Sequence, residues 1–154
     1  MNCHKSINVI IACVLLICIC CQPPKKKQTL IDAEWIIGTW KGATTNNHVF
    51  YERWTRVGDT LFTNVNYHFE NGDTVIGGKS KIVLRDGVIY YMNGMGDKET
   101  SWRAKEFTPT SITFQNGAVN TYQTILFDLT ENNQWHARLV TSKDTISYSL
   151  ERMN

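Results

Sequence analysis

Apolar and polar residues alternate with a period of two along most of the chain after residue 36. This alternation is typical of antiparallel strands that have one buried and one solvent-exposed face. Short turn signals separate the alternating runs, among them Asn71-Gly72, Asp86-Gly87 and Asn93-Gly94. Such pairs supply the positive backbone angles that tight hairpin turns need. The pattern therefore predicts a sheet of hairpins, preceded by one short helix over residues 30–37.

The turn signals divide the chain into consecutive strands that no helical crossover interrupts. The predicted strands are 36–43, 47–56, 60–69, 74–84, 87–93, 98–107, 110–115, 121–129, 134–141 and 144–152. Strands in this order close most economically into an antiparallel up-and-down barrel, because closure removes the exposed sheet edges. We therefore predict an all-β barrel of eight to ten strands with a short N-terminal helix. A β-sandwich is the alternative.

The alternation also predicts which side chains face the interior. In the strand 60–69 the more apolar set, expected to face inward, is Leu61, Thr63, Val65, Tyr67 and Phe69. The set expected to face solvent is Phe62, Asn64, Asn66 and His68. In the later strands the inward set is Trp102, Ala104, Trp135, Ala137, Leu139, Ile146, Tyr148 and Leu150. Trp40 is expected to close one end of the barrel, because large aromatic side chains dominate core packing.

The N-terminal segment has a different composition. Residues 7–21 form a 15-residue apolar run that only Asn8 interrupts, and all five cysteines lie at or before residue 21. A membrane-spanning helix needs about 20 residues, so the length fits the apolar region of a secretory signal peptide. The prolines and lysines of 22–29 then predict a solvated tether. The predicted organisation is a signal peptide over 1–21, a tether over 22–29 and one domain over 30–154.

The end of the apolar run resembles the lipobox of bacterial lipoproteins, in which a small residue precedes the acylated cysteine. On this resemblance Cys21 is the lipidation site, with Cys20 before it as the small residue. The resemblance implies export and a lipid anchor in a bacterial membrane, with the outer membrane as the expected location. Cys18 stands where the family usually has leucine, and Cys20 stands where it usually has glycine, alanine or serine. A cleaved signal without lipid and an uncleaved anchor are the alternatives.

Several segments resemble calycin-type barrels. The first is Trp35-Ile36-Ile37-Gly38-Thr39-Trp40-Lys41-Gly42, with Gly-x-Trp at the start of the first strand. The others are Glu52-Arg53-Trp54, Ile112-Thr113-Phe114-Gln115-Asn116 and Trp135-His136-Ala137-Arg138-Leu139. Together they are similar to a lipocalin-like domain family of bacterial envelope proteins with no assigned function, over most of 33–140. That family usually continues from the third segment into Pro-x-His-Asp-Phe-Pro, whereas residues 117–122 contain no His-Asp pair.

Composition and motifs argue against three kinds of binding, namely binding of nucleic acid, of a metal ion and of haem. The first 27 residues carry four lysines and no acid, so the rest carries 12 basic and 14 acidic side chains, net −2, and no nucleic-acid partner is expected. The histidines after the leader are His48, His68 and His136. A divalent metal needs three or four convergent ligands, and His68 and His136 alternate with polar residues and are expected to face solvent, so we predict no metal site and no cofactor. The haem-binding nitrobindin-like barrels, which have a similar start, need a late barrel-lining histidine, and His136 is the only late one.

Glu52 is the most informative polar residue, because it alternates with Phe50 and Trp54 and so lies on an aromatic face. A buried carboxylate must find a partner or raise its pKa. The predicted ligand-binding residues are Glu52, Trp54, Tyr67 and Trp102. The competing prediction is that this strand bulges, which would leave Glu52 solvated or paired.

Three classes of function follow from these features. The first is a monomeric, lipid-tethered barrel that binds one small apolar or amphipathic molecule. The second is a filled barrel that acts as a protein-interaction module of the cell envelope. The third is an enzyme in which Glu52 acts with Tyr67 or Arg53. The volume of the barrel interior should separate the first class from the second, and a perturbed carboxylate in a pocket would favour the third.

Overall fold

The computed structural model describes residues 29–94, 98–119 and 121–154. In these ranges a 3₁₀-helix, Leu30–Ile36, precedes ten strands. The strands are β1 (Gly38–Ala43), β2 (Val49–Arg56), β3 (Leu61–Glu70), β4 (Asp73–Arg85), β5 (Val88–Asn93), β6 (Thr100–Phe107), β7 (Ser111–Gln115), β8 (Thr124–Leu129), β9 (Gln134–Val140) and β10 (Thr145–Arg152). All ten begin and end within three residues of their predicted bounds. The predicted signal peptide, its Cys21 and most of the tether lie outside the described residues.

The ten strands form one closed antiparallel barrel, which confirms the predicted fold class. Each strand pairs with its neighbours in the sequence, and β1 closes the barrel by pairing with β10. The closing ladder is short, with the three pairs Trp40↔Arg152, Lys41↔Glu151 and Gly42↔Leu150. No strand of this sheet is left with an exposed edge. Among the described residues no helix has the length and apolar character needed to cross a membrane.

Two hairpin turns show why the turn signals predicted the strand bounds. Asn71 and Gly72, between β3 and β4, have φ values of 52° and 91°. Asp86 and Gly87, between β4 and β5, have φ values of 52° and 74°. Two successive positive φ values are those of the type I′ turn, whose twist matches the right-handed twist of the flanking strands.

The 3₁₀-helix closes the end of the barrel at which β1 begins. Its Leu30, Ala33 and Ile36 side chains are buried. The carbonyl of Ile36 accepts a hydrogen bond of 2.8 Å from Nε1 of Trp40, which is itself fully buried. Trp40 is thus part of a packed plug, as the sequence predicted, and its ring and its polar atom are both satisfied inside the protein.

Arg152, near the end of β10, fastens the helix to the barrel. Its guanidinium donates to the carbonyl of Ile37 at 2.7 Å and to the carbonyl of Trp35. The same group lies 4.3 Å from the centroid of the Trp40 ring. One cation therefore joins the chain before β1 to the last strand, through two hydrogen bonds and a cation–π contact.

Tryptophan rings form the base of the barrel interior. Trp135 of β9 contacts Trp35, Trp40 and Trp54 edge-on, with ring centroids 6.3, 5.7 and 6.2 Å apart. Phe127 of β8 lies 5.0 Å from the same ring. Edge-to-face contacts at these distances stabilise a core beyond the burial of area alone. This end of the interior is therefore filled by side chains.

The inward set predicted for the later strands is largely correct. The buried members are Trp102, Ala104, Trp135, Ala137 and Leu150. Leu139 and Tyr148 are half-buried and face the interior from β9 and β10. Apolar side chains on these strands thus mark the inner face of the barrel.

The prediction for β3 was wrong, because its side chains face the opposite way. The residues on the outer face are Leu61, Thr63, Val65, Tyr67 and Phe69, whereas Asn64 is buried inside and Phe69 is 56% exposed. Tyr67 is covered on the outside by Tyr51, whose ring stacks on it at 5.2 Å, and by the guanidinium of Arg53. Apolar character on this strand marks an external aromatic cluster, and the polar face encloses a cavity.

Candidate functional site

A cavity of about 420 Å³ lies in the half of the barrel away from the 3₁₀-helix. Its walls are largely aromatic, and the rings that line it are Phe50, Trp54, Tyr91, Phe127, Trp135 and Tyr148. A few polar side chains from β2, β3 and β4 converge on one side. Small-molecule sites are typically about 300–1,000 Å³ and combine apolar walls with a few placed polar groups. The barrel is thus filled at one end and hollow at the other.

The mouth of the cavity lies where β1 ends and β2 begins. His48 and His68 contribute to its rim, and their rings contact each other edge-on with centroids 4.9 Å apart. His68 was predicted to face solvent on the outside of the barrel, and this prediction was wrong for the same reason as for the rest of β3. Among the described residues, no group of three or more His, Cys, Asp or Glu side chains is placed to hold a metal ion.

Glu52 is the acidic side chain of the cavity wall. It lies on the inner face of β2, where an unbroken antiparallel ladder places it opposite Asn66 and places Trp54 opposite Asn64. Nδ2 of Asn66 donates to Oε1 of Glu52 at 2.9 Å, and Nδ2 of Asn64 donates to Oε2. Nδ2 of Asn64 also lies 3.1 Å from Oγ of Ser80. The strand does not bulge at Glu52, and the carboxyl is held by two neutral amides.

The environment of Glu52 disfavours its charge. Burial raises the pKa of the Glu52 carboxyl, and the hydrogen bonds from Asn66 and Asn64 oppose that rise. None of the lysines, arginines and histidines in the described ranges forms an ion pair with Glu52. A buried carboxylate is stable only when it is paired or protonated. Glu52 can therefore act as a hydrogen-bond donor when protonated, or accept a cation when ionised.

Two tyrosines share this environment. Burial raises the pKa of Tyr91 well above its usual range, a hydrogen bond with Ser80 lowers it, and the charge of Glu52 raises it further. The pKa of Tyr148 is raised by burial, then by the nearby Tyr122 and Glu52. Both hydroxyls are consequently neutral near pH 7 and can only exchange hydrogen bonds.

A β-bulge in β4 leaves room for the side chain of Asn66, which donates to Glu52. Asn66 pairs with Gly78 and Tyr67 pairs with Ile76, so Gly77 is the extra residue between them. A Cβ atom at Gly77 would lie 2.6 Å from Oδ1 of Asn66. Glycine at position 77 therefore leaves the Asn66 amide where it can donate to Glu52, whereas a side chain at Gly78 would meet nothing within 4 Å.

Three polar atoms of the cavity-lining residues find no hydrogen-bond partner in the protein. They are the indole nitrogens of Trp54 and Trp135, which are donors, and Oδ1 of Asn64, which is an acceptor. Trp54 and Trp135 are 2% exposed and Asn64 is 5% exposed. Buried polar atoms are rarely left unpaired, and these three atoms are covered by other protein atoms, so they belong to the packing behind the cavity surface and not to the surface that a ligand meets.

The structure divides the four predicted ligand-binding residues into three groups. Glu52 and Trp54 both line the cavity. Trp102 is buried behind it, where its ring lies 5.7 Å from Tyr91 and its Nε1 donates to the carbonyl of Tyr122 at 2.6 Å. Tyr67 lies on the outer face of the barrel, where it lines a separate groove, so it does not share the cavity with Glu52 and its ligand contact stays a prediction.

The catalytic pairing of Glu52 with Tyr67 or Arg53 is not formed. Nη2 of Arg53 lies 3.4 Å from the hydroxyl of Tyr67, and both side chains are on the outer face of the barrel. The β2 backbone separates them from Glu52, which faces inward. The carboxyl instead has amide, hydroxyl and phenol groups as its polar neighbours.

Sequence reasoning missed Asn64, Asn66, Ser80 and Tyr91 as site residues. A signal for the first two was present, because the turn after β2 places Asn64 opposite Trp54 and Asn66 opposite Glu52.

No protein-family model matches this sequence, and no curated protein sequence matches it significantly.

Proposed function

We propose that the barrel binds one amphipathic small molecule. Its polar group contacts Glu52 and the adjacent polar side chains of the cavity wall, and its apolar part lies against the aromatic rings. The observation that carries the proposal is the cavity of about 420 Å³ with a single polar side. A filled barrel, which the protein-interaction alternative requires, would have no such space. The size and the mixed lining are those of small-molecule sites.

The enzyme alternative has one observation in its favour, which is the raised pKa of Glu52 in the cavity wall. Its proposed partners Arg53 and Tyr67 are on the other side of the sheet. Binding therefore has the stronger support.

The test is to fill the cavity without changing the outer surface. Ala137 is buried on the cavity wall, and the exposed Ser147 lies on the outer face of β10. Native mass spectrometry of the full-length protein from its native source should detect a bound small molecule in the wild type and in Ser147→Leu. It should detect a clearly smaller bound fraction in a folded Ala137→Leu protein, because the added carbon atoms narrow the cavity. An undiminished bound fraction in Ala137→Leu, or no bound species in the wild type, would contradict the proposal.

We propose further that the protein acts at the cell envelope, anchored through a lipid on Cys21. The support is the 15-residue apolar run that ends at this cysteine and the three lysines that follow it. Each lysine near an anionic membrane contributes about 1 kcal/mol. Labelling with a palmitate analogue should mark the wild type and Cys13→Ala but not Cys21→Ala. Label on Cys21→Ala would move the site to Cys20 or Cys18, and an unlabelled wild type would contradict lipidation.

A further inference from the structure

We infer that the polar group of the ligand is a cation, and that the cavity selects organic amines over alcohols and carboxylates of the same skeleton. This inference rests on the proposed binding function and adds the chemical class of the ligand. It follows from the arrangement of charge, hydrogen-bond donors and aromatic rings around Glu52.

The hydrogen-bond pattern prepares Glu52 for a cation. Asn66 donates to one carboxyl oxygen and Asn64 to the other, so the carboxyl is held in one orientation against the wall. Each oxygen keeps a lone pair for one further donor. The two amides provide donors but no charge, so the negative charge of an ionised Glu52 stays uncompensated by the described residues. An ammonium group would supply both the missing donor and the missing charge.

The walls next to Glu52 also favour a cation. Phe50 and Trp54 precede and follow it on the inner face of β2. Tyr148 contacts Phe50 edge-on with centroids 5.4 Å apart, and it also lines the cavity. The face of an aromatic ring carries partial negative charge and attracts ammonium groups, most strongly where water is excluded. A carboxylate ligand would meet the opposite situation, since both Glu52 and the ring faces repel it.

The other titratable groups that face the cavity are few. Tyr91 of β5 and Tyr148 of β10 are neutral phenols. His48, His68 and the exposed Lys79 belong to its lining, and Lys79, which pairs with Val65, also lines the groove on the outer face. Positive charge on these three would oppose the entry of an amine, so they cannot be the source of a preference for one. Glu52 is the acidic group that the described lining offers.

The charge of Glu52 couples amine binding to pH in a defined direction. In the free protein burial keeps the carboxyl protonated above its ordinary pKa, and a bound cation favours the ionised form. An amine therefore displaces a proton, and its affinity rises with pH until Glu52 is ionised in the free protein. An alcohol binds the protonated form at least as well, so its affinity is flat or falls over the same pH range.

The experiment compares three probes with one skeleton: phenylbutylamine, phenylbutanol and phenylbutyrate. Binding to the full-length protein in nanodiscs, with empty nanodiscs as the blank, is measured by calorimetry at about pH 5 and about pH 8. We expect the amine to bind about tenfold tighter than the alcohol at the higher pH. The affinity of the amine should be weaker at the lower pH. At that pH its binding should release the proton of Glu52, which is seen as a dependence of the binding heat on the ionisation enthalpy of the buffer.

Variants identify the group responsible. Glu52→Gln should abolish the preference for the amine and the proton release, because the amine affinity falls to about that of the alcohol. Glu106→Gln, an exposed carboxylate on β6, removes the same charge elsewhere and should change nothing. A His48→Gln/His68→Gln variant should keep both effects, which excludes repulsion at the mouth as their cause.

The outcomes separate the two proposals. Binding of the alcohol or carboxylate as tightly as the amine, or an amine preference that persists in Glu52→Gln, overturns the cation inference and leaves the binding function in place. If none of the three probes binds and no native ligand is found, the binding function falls together with the inference.

Discussion

The two ends of the barrel interior differ in how the protein satisfies a charged side chain, Arg152 at the closed end and Glu52 at the open end. At the end closed by the 3₁₀-helix, the indole N–H of Trp40 has a carbonyl partner and the charge of Arg152 has two carbonyls and a ring. At the open end, the carboxyl of Glu52 has no counterion among the described residues. Unpaired indole N–H groups occur at both ends, in Trp54 at the open end and in Trp35 of the 3₁₀-helix.

The difference shows how a small barrel can combine stability with a binding site. Polar groups that are satisfied within the protein stabilise the fold, whereas buried polar groups left unsatisfied destabilise it and can be satisfied by a ligand. The closed end therefore stabilises the fold, and the open end destabilises it. Variants at the two ends should separate these contributions.

The largest effect is expected at the closed end. Trp40→Ala removes a fully buried ring together with its hydrogen bond to Ile36, and should lower the free energy of unfolding by about 3–5 kcal/mol. Phe50→Ala, which truncates a half-buried ring on the cavity wall, should cost clearly less because the site is already hollow. Denaturant unfolding measures both. Equal losses at the two positions would contradict the division of the interior.

A smaller loss is expected when Arg152 is replaced. Arg152→Met keeps the apolar stem but removes the hydrogen bonds to the Trp35 and Ile37 carbonyls and the charge over Trp40, and should cost about 1.5–3 kcal/mol. Arg138→Met removes an exposed ion pair with Asp128 and should cost at most about 1 kcal/mol. If the two variants unfold alike, Arg152 does not fasten the helix.

At the open end, replacing Glu52 by the neutral glutamine should stabilise the protein at high pH. Burial holds the pKa of Glu52 above its ordinary value of 4.5, so the folded state binds this proton more tightly than the unfolded state. This proton therefore stabilises the fold most at low pH, and the contribution declines as the pH rises from the unfolded-state pKa to the folded-state pKa. Each tenfold difference in proton affinity corresponds to about 1.4 kcal/mol.

Unfolding curves across this pH range test the argument. Glu52→Gln should lose the decline that the wild type shows, and Glu106→Gln should retain it, since its carboxylate is exposed. A wild-type stability that does not fall between these two pKa values would mean that Glu52 is ionised at no cost in the folded protein.

The smallest effect is expected at the bulge. Gly77→Ala places a methyl group 2.6 Å from Oδ1 of Asn66 and should displace this side chain, at a cost of about 1 kcal/mol and with weaker ligand binding. Gly78→Ala meets nothing within 4 Å and should change stability by no more than about 0.5 kcal/mol. The same result for both glycines would remove the bulge from the account of the site.

Strand number and bounds could be predicted from the sequence because turn residues act locally. Asn71-Gly72 and Asp86-Gly87 adopt their positive φ values for steric reasons that the neighbouring residues already determine. The inner face of β9 was also predictable, since its apolar residues Trp135 and Ala137 are buried in the barrel interior.

The inner face of β3 could not be predicted from alternation, which separates two faces without saying which one is enclosed. The apolar residues Val65 and Tyr67 pack on an outer aromatic cluster, and the polar Asn64 and Asn66 face a cavity. Hairpin pairing carried the missing information. Once Glu52 is placed inside, its partner across the ladder must be inside as well.

The closing ladder between β1 and β10 bears on how the barrel forms and opens. Every other strand pair joins neighbours in the sequence and can form as a local hairpin, whereas this ladder joins residues 40 and 152 through only three pairs. Bringing such distant segments together costs the most chain entropy and slows folding. We therefore expect closure to come last in folding, and the amide protons of these three pairs to exchange with solvent sooner than those of β3 and β4, which form a ladder of ten pairs.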